Sequence, residues 1–161
     1  MHKIVPCLWF DKEAEEAAKF YASVFKNSKI GRISYYGKEG FEVHGMPEGT
    51  VLTVEFELDG QPFTGLNGGP HFKFSEAVSF IINCENQEEV DYFMDKLSAV
   101  KEAEQCGWVK DRFGLSWQVV PTILDELLSD PDKEKAGRVM TAMLQMKRID
   151  IEALKRAYEG K

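Results

Sequence analysis

The chain has 161 residues, room for one domain or two small fused modules, and its 43% hydrophobic and 12% aromatic content supports a real core. A formal net charge of −7 with no Lys/Arg block argues against nucleic acid as a partner, and no apolar run approaches the ~18 residues that would make a membrane span. The opening MHKIVPCLWFDKEAEE lacks an apolar signal core, and three cysteines, Cys7, Cys84 and Cys106, are too few and too odd for a disulfide frame, so a cytoplasmic protein with reduced thiols is expected.

In chain order, KIVPCLWF (3–10) reads as a strand, with Pro6 marking an edge or an irregularity. DKEAEEAAKFYASVF (11–25) is an amphipathic helix that places Ala14, Ala17, Ala18, Tyr21, Val24 and Phe25 on one face, with Asp11 expected to cap it. SKIGRISYYG is a strand ending at Gly37, and the Gly-rich 38–49 is a loop or weak hairpin. TVLTVEFEL (50–58) alternates: Leu52, Val54, Phe56 and Leu58 face one side, Thr53, Glu55 and Glu57 the other. A DGQ turn leads into a further strand, PFTGLN.

After GGPHFKFSE (68–76) the pattern restarts. AVSFIINC (77–84) is a strand, and NQEEVDYFMDKLSAV (86–100) is a helix with Val90, Phe93, Met94 and Leu97 inward and capping-box spacing from Asn86 to Glu89. EQCGWVKD and LSWQVVP are strands around the turn DRFG. An offset of 73 superposes Glu15–Glu16 on Glu88–Glu89, Phe20 on Phe93 and Pro6 on Ser79; nearer the last strand the offset falls to 54, which takes Thr64 onto Gln118. The expected fold is therefore α+β: tandem β-α-β-β-β modules over 1–67 and 77–121, a linker over 68–76 and a helical extension over 122–161, all in one domain.

In the extension, TILDELL is a short helix capped by Thr122, Pro131 suits a first helical turn, and DKEKAGRVMTAMLQMK presents a stripe of Ala136, Val139, Met140, Met143 and Leu144. DIEALKRAYEG follows, capped by Asp150 and stopped by Gly160. Both modules are complete at Pro121, so this stripe, prolonged by Met146, Ile149, Ile151, Leu154 and Tyr158, is expected to form a homodimer interface.

The segments CLWFDKEAEEAAKFYASVF, TVEFELDGQPFTGLNGGPHFKFSEAVSF, QCGWVKDRFGLSWQVVP and GRVMTAMLQMKRIDI resemble the PhnB-like, demethylubiquinone methyltransferase-like branch of the vicinal oxygen chelate superfamily, which includes glyoxalase and bleomycin resistance proteins. The resemblance implies curved sheets around a small-molecule pocket between the modules, a two-fold dimer, and metal ligands on the first and last strands of each module. Those positions fall at Pro6, near Thr64, at Ser79 and at Gln118. They offer no imidazole, carboxylate or thiolate, so no metal is expected. None of His2, His44 and His71 falls on a ligand strand.

The candidate ligand-binding residues are Gln118, Ser79, Thr64, Asn67 and Trp108. Gln118 and Ser79 can equally be buried groups satisfied within the protein. Glu55, Glu57 and His71 are the candidate catalytic groups; the two glutamates act as acid or base only if their strand face lines a cavity. Cys106 and Cys7 have no sequence-near base to activate them. Trp9, Trp108, Trp117, Phe63, Phe72 and Phe74 can wall a pocket or simply form core, and alternation turns Trp117 away from Gln118. The only glycine cluster, LNGGPHF, opens no helix, so no adenosylmethionine site and no other cofactor is expected, and a methyltransferase reading is disfavoured. The expected function is binding of an unidentified small molecule without metal; the alternative is an isomerase, lyase or dioxygenase-type enzyme using a pocket carboxylate.

Overall fold

A computed structural model describes all residues, 1–161. The chain divides into two compact units, Met1–Lys73 and Phe74–Lys161, and the division falls in the expected linker.

In the first unit the alternating strand β3 (Val51–Leu58) sends Val54, Phe56 and Leu58 into the core. Helix α1 (Ala14–Val24) covers them with Ala14, Ala17, Ala18, Tyr21 and Val24. Tyr21 stacks on Phe56 at 6.3 Å between centroids, and Phe56 on Phe63 at 5.3 Å. The sheet runs β1 (Cys7–Phe10), β4 (Gln61–Asn67), β3, β2 (Lys29–Tyr35), with β1 parallel to β4 and the other pairs antiparallel. Asp59 and Gly60 both hold positive φ, 48° and 80°, which is the turn an Asp-Gly hairpin requires. A short helix, α2 (Phe41–His44), lies between β2 and β3, where the sequence predicted a loop or weak hairpin.

Asp11 does not cap α1. Glu13 holds the cap position without a side-chain bond, and the first helical N–H, of Ala14, is bonded instead by Asn67 Oδ1 at 2.9 Å. That partner lies 53 residues away, on the end of β4, beyond the reach of any local capping pattern.

The second unit repeats the frame with one strand fewer. Its order is β5 (Ser79–Cys84), β7 (Ser116–Pro121), β6 (Trp108–Lys110), with β5 parallel to β7. Helix α3 (Gln87–Leu97) buries Val90, Met94 and Leu97, and Asn86 caps it by accepting the Glu89 N–H at 2.9 Å. A 3-10 turn (Lys101–Ala103) and a single bridge between Gln105 and Trp108 stand where the first unit has β2.

Strand register corrects the expected repeat offset. Cys7 pairs with Thr64 and Ile81 pairs with Gln118, so Cys7 matches Ile81. The β–α connection is one residue shorter in the second unit, which moves the first-strand match by one place and puts Pro6 and Ser79 at different positions.

Helices α4 (Thr122–Leu128), α5 (Lys133–Leu144) and α6 (Ile151–Glu159) complete this unit. Pro121, not Thr122, precedes α4, and Asp132 rather than Pro131 starts α5 by accepting from Glu134 and Lys135. Asp150 caps α6 and Gly160 ends it in a left-handed conformation, φ 79°, as expected. Much of the apolar stripe is core and not interface: Val139, Ile149 and Leu154 are fully buried with Leu124, and Met143, Met146 and Tyr158 pack against them. Met140 and Leu144 alone of the large stripe residues stay exposed, at 41% and 51%. The reason is that α5 folds back on α6, and the connection between them is tied to the module. Met146 and Lys147 carbonyls accept from the Cys106 and Gly107 N–H, both at 2.8 Å. The Gln87 side chain donates to Ile149 O at 3.0 Å and accepts from Ile151 N at 2.9 Å.

Candidate functional site

Helix α1 in the first unit and α3 in the second cover one sheet face, and alternation leaves polar and aromatic residues on the other. On the second sheet, Phe80, Ile82, Cys84, Val109, Trp117 and Val119 take the helix side. Burial pushes the Cys84 thiol up to about 12, so it is an inert core group at neutral pH. The opposite face carries three cross-strand rows, the last of which, Asn83 with Val120, is closed because Val120 packs on the C-terminal helical core. Ser79, Ser116 and Lys110 form the first, and Ile81, Gln118 and Trp108 the next.

Gln118 Nε2 donates to Ser79 Oγ at 3.0 Å, which links the first two rows. This bond leaves the Gln118 carbonyl oxygen, its second N–H and the Ser79 hydroxyl proton without protein partners. Ile81 beside Gln118 is 60% exposed, and Trp108 on the other side is half-buried. At the rim Lys110 is ion-paired to Glu76, whose carboxyl is held below the usual range first by the hydrogen bond from Lys110.

Turn chemistry holds this face in place. Asp111 is 1% exposed and accepts three N–H groups: Phe113 at 2.9 Å, Leu115 at 3.1 Å and Trp117 Nε1 at 2.8 Å. Asp111 therefore clamps the DRFG turn and locks Trp117 on the helix side, so that Gln118 must face the other side.

The matching row of the first sheet is Cys7, Thr64 and Glu55, with Trp9, Leu66, Thr53 and Ser34 beside it. Its carboxylates are engaged: Glu55 pairs with Arg32 at 3.0 Å and Glu57 with Lys29 at 3.5 Å, all well exposed to solvent. Burial raises the Cys7 thiol, which keeps it neutral beside Thr64. Asn67 is 2% exposed and consumed structurally, since its side-chain oxygen accepts the Ala14 N–H, its side-chain NH2 donates to Val51 O at 3.1 Å, and its backbone carbonyl accepts the Tyr36 hydroxyl at 2.6 Å. His71 is exposed in the loop after β4.

The structure thus brings Ser79, Gln118 and Trp108 together in the second unit; in the first it sets Thr64 beside Glu55, buries Asn67 at the end of β4 and leaves His71 in the loop that follows. Sequence reasoning overlooked Lys110 and Ile81. Alternation outward from Gln118 and Trp108 across the DRFG turn is the signal that places Lys110.

Neither group implied by resemblance fits the residues present. No three His, Cys, Asp or Glu side chains stand close enough to hold a metal ion, and Ser79 and Gln118 offer only neutral oxygens. The glycine pair is no nucleotide cradle: Trp9 donates Nε1–H to Gly69 O at 2.9 Å, and a Cβ on Gly68 would sit 2.3 Å from the Trp9 ring. Turn and extended chain follow that pair, not a helix. No helix is long and apolar enough to cross a membrane.

A helix-backed sheet whose first and last strands pair in parallel, made twice in one chain, defines a protein of the vicinal oxygen chelate type of fold. A sequence model described as 3-demethylubiquinone-9 3-methyltransferase matches residues 2–120, and the chain belongs to that PhnB-like family. It is similar to the PhnB protein of Bacillus cereus, described as a 3-demethylubiquinone-9 3-methyltransferase, with 34% identity over 75% of this chain and 100% of that one, TM-score 0.62. The fold alone is shared with protein PA1353 of Pseudomonas aeruginosa, at 17% identity over 75% of this chain and 98% of that one, TM-score 0.54. No curated protein matches.

Proposed function

We propose that the protein binds a small organic molecule without a metal ion, and that the open face of the second sheet is where it does so. The observation that carries this reading is the Gln118–Ser79 bond: a fixed amide on an open sheet face, with unspent donors and an acceptor, between an exposed Ile81 and Trp108. Polar groups converging among apolar ones are the ordinary make-up of a ligand site. The family's name carries a methyl transfer, yet the glycine pair of this chain serves Trp9, so binding is favoured over methyl transfer. Carboxylate catalysis is less favoured because Glu55 and Glu57 sit in solvent-exposed ion pairs. A homodimer belongs to the same reading, on a smaller surface than the sequence implied, centred on Met140 and Leu144.

The test is native mass spectrometry of protein purified without additives, followed by rebinding of whatever molecule is released. Gln118→Ala is expected to weaken rebinding by about 0.5–1.5 kcal/mol, one neutral hydrogen bond, with the fold intact. Unchanged affinity for the released molecule would assign Gln118 to structure.

A further inference from the structure

We propose that the ligand class of the second sheet's open face is an uncharged, planar molecule with one amide-like edge, a carboxamide or lactam on an aromatic body; this rests on the binding reading above.

The argument is one of charge and register. Across the strands, the row Ile81–Gln118–Trp108 offers an apolar side chain, an amide and an indole side by side. A flat apolar body fits over such a row, because aromatic faces attract one another and Ile81 gains by being covered. In the adjacent row Ser116 is only 1% exposed, so the edge of that body lands at Ser79. There Gln118 presents a carbonyl acceptor and an N–H donor together, and Ser79, already accepting from Gln118 Nε2, has its own hydroxyl proton left to give. An amide edge carries one donor and one acceptor in complementary order.

Charged edges fit poorly. The one cation on this face, Lys110, is held by Glu76, so an arriving carboxylate or phosphate has to displace that glutamate or lie beside it. An arriving cation meets Lys110 itself, and the carboxylate beside these rows, Glu76, is already taken up by that lysine. A charged group pressed against neutral partners loses its hydration without a counter-charge, which disfavours both signs.

Three near-isosteric probes separate these cases: benzamide, benzoate and benzamidinium, each titrated at neutral pH into the isotope-labelled full chain, reading the Gln118 side-chain NH2 and the Trp108 indole N–H by NMR. Benzamide is expected to shift both signals with a Kd about tenfold below those of the two ions, a preference of about 1.4 kcal/mol. Gln118→Glu, checked for fold by its backbone spectrum, is expected to invert the order in favour of benzamidinium, and Trp108→Leu to weaken all three. Benzoate or benzamidinium binding here as well as benzamide overturns the ligand class and leaves binding at this face standing. Probes that shift only residues elsewhere, or none, overturn the assignment of the face itself.

Discussion

Replacing Asp111 isolates the turn that orients the candidate site. Its carboxylate accepts from two backbone N–H groups and the Trp117 indole, all in a spot where the aspartate is 1% exposed. Asp111→Ala strands three donors, each costing ~1–3 kcal/mol when buried without a partner. Phe113 lies partly open to water, so its N–H is re-solvated and two donors carry the loss. Relief of the carboxylate's own desolvation offsets part of it. The net expectation is a destabilisation of ~3 kcal/mol, a large share of the 5–15 kcal/mol typical of a folded domain. Asp111→Asn keeps an oxygen for Phe113 and Leu115 but turns an NH2 toward the indole N–H, and should cost ~1–2 kcal/mol. Adding Trp117→Phe to Asp111→Asn removes that donor–donor conflict, so the double variant should lose less than the sum of the singles. Urea unfolding followed by near-ultraviolet circular dichroism measures the parent, the three single variants and the double, with an unchanged m-value confirming that stability alone moved. If Asp111→Asn lies within ~0.5 kcal/mol of the parent, the ordinary range for surface changes, the carboxylate does not hold this turn.

Cys84, its thiol pushed up to about 12 by burial, should resist iodoacetamide in the native protein at neutral pH and react only on unfolding; labelling at the rate of a free thiol would contradict its core position. Asp130 is held low chiefly by the hydrogen bond from the Tyr158 hydroxyl, at 2.7 Å. A lowered carboxyl stabilises the fold above its unfolded value and stops doing so as pH falls through its folded value, so Tyr158→Phe should lower the melting temperature near neutral pH and converge with the parent in acid; a gap that persists fully in acid refutes this linkage. Met140→Glu combined with Leu144→Glu should give folded monomers in sedimentation if α5 joins two copies, and a parent chain already monomeric at micromolar concentration removes that interface.

The sequence made legible whatever depends on period or on neighbours a few residues apart. Alternation through TVLTVEFEL placed Val54, Phe56 and Leu58 in the core, and Asn86 and Asp150 cap the helices they precede. Trp117 turns away from Gln118, as strict alternation demands. What stayed hidden depends on partners distant in the chain. Asn67 looks like a polar residue at a strand end, available to a ligand, until the fold sets it 2.9 Å from the Ala14 N–H. The stripe on α5 is apolar enough for core or interface, and only the return of α6 decides that Val139 is core while Met140 is not. A one-residue difference in the β–α connection defeated the fixed repeat offset for the same reason: pairing register is a property of two strands together, and a slip of one residue exchanges the faces of a sheet.

That register also separates the chemistry of the two sheets. Thr64 matches Gln118, and their cross-strand neighbours Glu55 and Trp108 match in turn. The same position in the repeat therefore holds a solvated carboxylate paired to Arg32 on one sheet and an indole beside a fixed amide on the other. An ion pair at half exposure gains little and gives little up to a passing solute, because water already serves both charges. An indole next to unpaired amide groups gains on being covered, because apolar area and unmet hydrogen bonds are satisfied together. Duplication thus supplied two similar frames, and substitution at matched positions put a solvated ion pair on one face and a fixed amide beside an indole on the other. The proposed site rests on that difference, since both sheets share the architecture and only the second sets an indole beside a fixed amide.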